Sequence, residues 1–236
     1  MTYFKNHNEL LAHGNTALRA DSLDILNAGL ASADPGRKAR ELISLEGDVL
    51  RIAGRKFDLR KAGNIYVLGA GKASFPIAEA LDDILGDRIA DGVVICKEGQ
   101  KGKLERSRLF LAGHPIPDEA GLAAAHCALK LARGTGPGDI VLACVTGGSS
   151  ALMPLPVPEI SLEDKKIVNI LLLACGANII EINAVRKHLS LVKGGLLAMA
   201  LHPRTVLVNL TVSDVIGDPY DYITDPTVPD TSSFAD

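Results

Sequence analysis

The stretch Ile65-Tyr66-Val67-Leu68-Gly69-Ala70-Gly71-Lys72-Ala73-Ser74 reads as a strand that turns, through two glycines, directly into a helix. Four consecutive apolar residues of strand-forming type fit a strand covered on both faces. The helical pattern that follows runs from Ser74 to Leu85. The same kind of apolar run recurs at Val93-Val94-Ile95-Cys96, Leu109-Phe110-Leu111, Ile140 to Val145 and Val206 to Val212. Helical pattern over Glu119 to Ala132, over Leu162 to Cys175 and onward from Ile179 to Leu201 separates most of these runs. Strand and helix in alternation make βαβ units, and right-handed crossovers assemble such units into one parallel sheet.

The expected fold class is therefore α/β, a Rossmann-like parallel sheet with helices on both faces. A mostly helical prelude over residues 1–60 precedes the βαβ core at 61–236, with helical pattern from Lys5 to about Ala31 and from Pro35 to Leu45. Pro35 is placed to open the second of these helices.

Composition narrows the function. Of 236 residues, 47% are hydrophobic and 22% charged, and the formal net charge is −3, which gives no reason to expect a nucleic-acid or anionic-membrane surface. The N-terminus, with Lys5, His7, Glu9 and His13, lacks the apolar stretch of a signal peptide. Ile167 to Ile180, the most apolar later run, is shorter than a membrane helix and reads as a buried helix. Cys96, Cys127, Cys144 and Cys175 have no CxxC spacing and read as reduced core thiols of a cytoplasmic protein. Beyond Arg204 basic residues stop, and the Pro- and Thr-rich Asp225 to Asp236 reads as a connection, so the chain is expected to be a fragment of a longer one.

Five constellations carry candidate chemistry. Gly69, Gly71 and Lys72 lie at a strand-to-helix turn, where free amides and the helix dipole favour an anion, with Lys72 aimed at a phosphate. A dinucleotide fingerprint needs glycine where Ser74 stands and an acid ending the second strand, where Cys96-Lys97-Glu98 occurs. Gly147, Gly148, Ser149 and Ser150 follow another strand and suit a phosphate cradle of amides and hydroxyls. Glu181 to Gly195 gathers Asn183, Arg186, Ser190 and Lys193 on one face if the helix is continuous, or beside a helix capped by Ser190 if it is not. Gly194-Gly195 there implies close backbone approach. Asp214, and more weakly Asp218, end the last strand and suit Mg2+ held with substrate phosphates. His114 offers a base in Gly113-His114-Pro115, with Asp118 as an N-cap.

These segments, in this order, with Val185-Arg186-Lys187-His188-Leu189-Ser190 and Pro226-Thr227-Val228-Pro229-Asp230, resemble the glycerate 2-kinase family. The resemblance implies the N-terminal domain of a two-domain kinase, its second, C-terminal α/β domain absent from this chain. It implies Mg2+-assisted transfer of the γ-phosphate of ATP to the 2-hydroxyl of D-glycerate in an interdomain cleft, with Lys72 an essential active-site residue. Its expected partners are D-glycerate and ATP, with no nucleic acid or membrane, and a homodimer as the assembly left open. On chemistry, Lys72 goes to the transferring phosphate, Arg186 or Lys193 to the glycerate carboxylate, the Gly147–Ser150 loop to phosphates and Asp214 to the metal. Ser149 stands where the family usually has a third glycine, and Asp225 where its loop usually has glycine. The family's second half supplies an arginine to the cleft, so the 236 residues alone are expected to be inactive. The alternatives are an NAD(P)H-dependent hydroxypyruvate reductase, a name family members often carry, and a catalytically incomplete phosphate-binding domain.

Overall fold

In the computed structural model, which describes residues 2–212, 217 and 224–234, the parallel sheet forms from β4 (Ile65–Ala70), β5 (Ile89–Lys97), β6 (Arg108–Ala112), β7 (Ile140–Val145) and β8 (Val206–Asn209). Its order is β6-β5-β4-β7-β8, with every pairing parallel. The strand period of two decides which side chains go where. Ile65, Val67, Val94, Cys96, Leu142 and Cys144 pack with Phe75, Ile77 and Leu81 of α4 (Ser74–Leu85). Leu68, Ala70, Val93, Ile95 and Val141 pack on the other face, against α5 (Glu119–Arg133). Ala124, Ala125, Ala128 and Ala132 are fully buried there, and their small side chains let α5 lie close to the sheet. Asp118 caps α5 by accepting from the Gly121 amide at 2.8 Å, as its place in the sequence suggested.

The prelude departs from expectation in one respect. Helices α1 (His7–Leu11), α2 (Thr16–Ala33) and α3 (Pro35–Leu42) are followed by an antiparallel meander, β1 (Ile43–Glu46), β2 (Val49–Ile52) and β3 (Arg55–Asp58). Helical pattern was expected to run to Leu45, but Ile43, Leu50 and Ile52 alternate with exposed or half-buried neighbours and enter the α4 core. Gly47 and Gly54, with φ of +60° and +82°, form the turns between these strands.

Helix α6 (Ser149–Leu152) is a single turn after β7, and α7 (Leu162–Ala174) and α8 (Ile179–His188) follow as a pair. Each of the pair is opened by a reciprocal capping box, Ser161 with Asp164 and Asn178 with Glu181. The expected buried helix at Ile167 to Ile180 is corrected. Helix α7 buries only Leu162 and Lys165, and leaves Ile167, Ile170, Leu171 and Leu173 exposed, because a single stripe of it meets the rest of the described chain. All four thiols are free; Cys96 and Cys144 are core residues, Cys127 is half-buried and Cys175 is exposed, which corrects the last of them.

Of the two geometries left open over Ile179–Leu201, neither a continuous helix nor one capped by Ser190 is observed. Helix α8 ends at His188, and a turn with φ of +60° at Gly194 and +81° at Gly195 leads to the one-turn α9 (Leu196–Met199). A side chain at either glycine would press on residues 228–230, so the expected close backbone approach is observed.

Candidate functional site

The strand order reverses between β4 and β7. From β4 the chain crosses through α4 on one face, whereas it reaches β7 through α5 on the other. In open α/β sheets, the crevice beyond the carboxyl ends of two such strands is where ligands bind. The two loops that meet there are Gly69–Ala73 and Thr146–Ser150.

Thr146 ties these loops together. Its hydroxyl accepts from the Ala73 amide at 3.0 Å, the Gly147 carbonyl accepts from the Lys72 amide at 2.9 Å, and the Ser74 hydroxyl donates to the Cys144 carbonyl at 2.6 Å. Gly71, with φ of +145°, leaves no room for a Cβ, which would fall on the Thr146 hydroxyl and 2.6 Å from the Thr146 carbonyl oxygen. The free amides expected at this turn are therefore engaged. Those of Gly71, Lys72, Ala73 and Ser74 donate to Ile95, Gly147, Thr146 and Gly71. What the turn offers a ligand is the exposed Lys72 side chain.

The second loop is different. Among the described residues, nothing accepts from the amides of Gly147, Gly148 and Ser150, and the hydroxyls of Ser149 and Ser150 have no partner. Gly148, with φ of +95°, lies against both the His114 ring and the Lys72 stem; a Cβ there would come within 3.1 Å of His114 Nε2 and 3.2 Å of Lys72 Cγ. Lys72, His114 and the glycine loop thus share one spot. Burial, followed by the positive charges of Lys72 and Lys97, lowers the His114 pKa, so the imidazole is neutral at pH 7.

Beneath the loop lies Lys193, 2% exposed, whose ammonium donates to the carbonyls of Ser150 at 3.0 Å and Met153 at 3.4 Å. Its pKa falls well below the ordinary value through burial and then the charges of Lys165 and Arg186. Arg186 on α8 gives its Nε to Asn169 Oδ1 of α7 at 3.0 Å. Ser190 lies past the end of α8, and its hydroxyl is spent on the Leu155 carbonyl and on the amides of Val192 and Lys193, each at 3.3 Å. Asn183 is buried within α8. Asp225, buried, accepts from the Thr227 amide and hydroxyl. Asp230 holds Lys187 at 2.5 Å and fastens the chain's last described segment to α8.

The structure therefore brings Lys72, Gly147, Gly148, Ser149 and Ser150 together, with Lys193 below them, while Ser190 shapes the turn that carries Lys193. Asp214 and Asp218 lie outside the described residues. Among the described residues there is no group of three or more His, Cys, Asp or Glu side chains fit to hold a metal. Sequence reasoning passed over Lys165, 3% exposed on α7. Its place three residues after Leu162, on the same buried stripe, was the available signal.

Residues 21–236 match a family model described as a domain of unknown function, DUF4147. The chain belongs to the DUF4147 family. Among its relatives, the glycerate 2-kinase of Pyrococcus horikoshii is 40% identical over 220 residues, which are 93% of this chain and 49% of the relative. Human glycerate kinase is 36% identical over 229 residues, 90% of this chain and 43% of its own. A protein of Agrobacterium vitis that bears the provisional name hydroxypyruvate reductase is 43% identical over 178 residues, 75% of this chain and 40% of its own. The crystal structure of a glycerate kinase from Thermotoga maritima superposes with a TM-score of 0.78 at 33% identity, covering 92% of this chain and 49% of that one. The glycerate 2-kinase resemblance read from the motifs is thereby borne out for this DUF4147 chain, as is its α/β fold. The chain spans about half the length of the relatives it matches.

Proposed function

We propose that this chain supplies one wall of a glycerate 2-kinase site, in which the γ-phosphate of ATP passes to the 2-hydroxyl of D-glycerate. The observation that carries the reading is a set of donors with no acceptor among the described residues, the amides of Gly147, Gly148 and Ser150 and the hydroxyls of Ser149 and Ser150, in the loop whose Gly148 lies against Lys72. Phosphoryl transfer asks little covalent chemistry of a protein. It asks for donors and cations on the phosphate oxygens and for in-line positioning.

In this arrangement the loop amides hold the nucleotide phosphates and the Lys72 ammonium neutralises the oxygens of the transferring group. His114, neutral and against the same glycine, takes the proton from the attacking hydroxyl. The hydroxyl oxygen bonds to phosphorus as the bond to the ADP oxygen breaks. The described residues offer Mg2+ no ligand cluster. Its place in the proposal rests on Asp214, with Asp218 weaker, while lysine, imidazole and amides carry the transfer itself. The cytoplasmic setting and the homodimer left open by the sequence belong to the proposal in the same way.

A reductase reading, prompted by the Agrobacterium vitis name, meets a specific obstacle. A dinucleotide pyrophosphate docks on free amides where the first helix begins, and here the amides from Gly71 to Ser74 are all engaged. The deciding assay couples ADP release to D-glycerate, ATP and Mg2+ on the longest natural form of the protein, beside Lys72→Ala and a parallel reaction with NADH and hydroxypyruvate. Glycerate-dependent ADP release that Lys72→Ala abolishes is expected. NADH oxidation with no ADP release would replace the kinase by the reductase, and silence in both would leave a phosphate-binding domain.

A further inference from the structure

Several cations in this chain have an acidic partner at close range: Arg40 with Asp83, Arg88 with Asp48, Arg60 with Asp58, and the buried Lys187 with Asp230. Three that are withdrawn from solvent do not. Among the described residues no carboxylate comes within ion-pair distance of Lys165, Arg186 or Lys193. Lys165 and Lys193 are 3% and 2% exposed, Arg186 is half-buried, and their charges bear on one another. Buried charge without a counter-charge is costly, and a gathering of three like charges is more so.

The three are not equivalent. Lys193 is satisfied by the Ser150 and Met153 carbonyls. Arg186 spends its Nε on Asn169, and among the described residues both terminal nitrogens of its planar fork are unused. Lys165 stands four residues before Asn169, on the same face of α7, and its ammonium has no hydrogen-bond partner among the described residues. The seam between α7 and α8 therefore presents one ammonium and one guanidinium edge, with their donors unspent. Lys193, on which the charges of Lys165 and Arg186 bear, links the seam to the glycine loop by donating to the Ser150 carbonyl, two residues from the Gly148 that touches Lys72.

We infer that Lys165 and Arg186 together seat the carboxylate of the glycerate substrate. The inference rests on the kinase reading and adds to it a residue that neither the motifs nor the relatives' names assign. A hydroxy acid carries its carboxylate on the carbon next to the reacting hydroxyl, so a cationic seat is needed beside the phosphate cradle and separate from it. The fork of Arg186 suits the two carboxylate oxygens, and the Lys165 ammonium supplies the remaining charge.

The test is equilibrium titration with D-glycerate, and separately with ATP, together with turnover, on the longest natural form of the protein. Wild type is compared with Lys165→Met, Lys165→Arg and, as a control, the neighbouring Lys166→Met, whose partner is Glu163 at 3.2 Å. Lys165→Met is expected to weaken glycerate roughly 10- to 100-fold while ATP affinity stays within about 2-fold. Lys165→Arg is expected to retain most of the glycerate affinity, and Lys166→Met all of it. The preference for glycerate over glycerol, which has the hydroxyls but no carboxylate, is expected to shrink in Lys165→Met alone. That ratio is insensitive to a general loss of folded protein. Unchanged glycerate affinity in Lys165→Met overturns the inference while the kinase stands. Loss of ATP affinity in place of glycerate affinity assigns the seam to phosphate and also overturns it. A wild type that neither binds nor phosphorylates glycerate removes the kinase reading, and the inference with it.

Discussion

Lys165 occupies a position where the packing of α7 calls for an aliphatic side chain. Burial, and then the charge of Arg186, lower its pKa to about 8, from the 10.5 of a free lysine. Between about pH 8 and 10.5 the unfolded chain holds a proton that the folded chain has released, so folding becomes more favourable as pH rises through that window. Below about pH 8 the full penalty stands. Lys165→Met is therefore expected to stabilise the chain at pH 7, by at most about 3 kcal/mol, and the gain should vanish near pH 10.5, as urea unfolding at the two pH values would show. A gain that stayed the same at both values would assign the effect to packing instead of charge. Lys72 makes the opposite case. It is exposed, so Lys72→Ala should leave stability unchanged within about 0.5 kcal/mol while lowering kcat/KM at least roughly 100-fold.

At the scale of elements, the two loops at the switch point are one unit because Gly71 admits Thr146 so closely. Gly71→Ala places a methyl group on the Thr146 hydroxyl and a side chain at a φ of +145°. It should cost more than about 2 kcal/mol and part the loops, lowering the melting temperature and nucleotide affinity together. Asp118→Ala removes the cap of α5 and should cost about 1 kcal/mol by denaturation. The strands of the sheet and helices α4 and α5 were legible in the sequence, because each strand is a continuous apolar run between turn or helix signals and each helix keeps one period over 12 or 15 residues. The meander at 43–58 was not, because over so short a window the helical pattern from Pro35 runs without a break into the alternation of Ile43, Leu45 and Leu50. The site was legible where it is local, at Gly71-Lys72 and Gly147 to Ser150. It was not where it depends on distant acceptors: nothing near Lys193 in the sequence points to the carbonyls of Ser150 and Met153, and nothing near Ser190 to that of Leu155.

For the whole molecule, what matters is that the chain spans about half the length of the relatives it matches, while the proposed site takes one wall from it. The 236 residues produced alone are expected to bind ATP through the glycine loop and yet release no ADP above background, which calorimetry beside the coupled assay would show. Glycerate-dependent turnover by that chain would mean that this wall suffices. The division of labour between the loops also fixes how their backbones exchange with solvent. The Gly147 carbonyl is held by the Lys72 amide and the Ser150 carbonyl by the Lys193 ammonium, so the loop is pinned by its oxygens while the amides of Gly147, Gly148 and Ser150 have no acceptor among the described residues. In deuterated water, then, the protons on the Gly147, Gly148 and Ser150 nitrogens should be lost quickly in the empty protein and slowly once nucleotide is bound, while those of Gly71 to Ala73 exchange slowly in both.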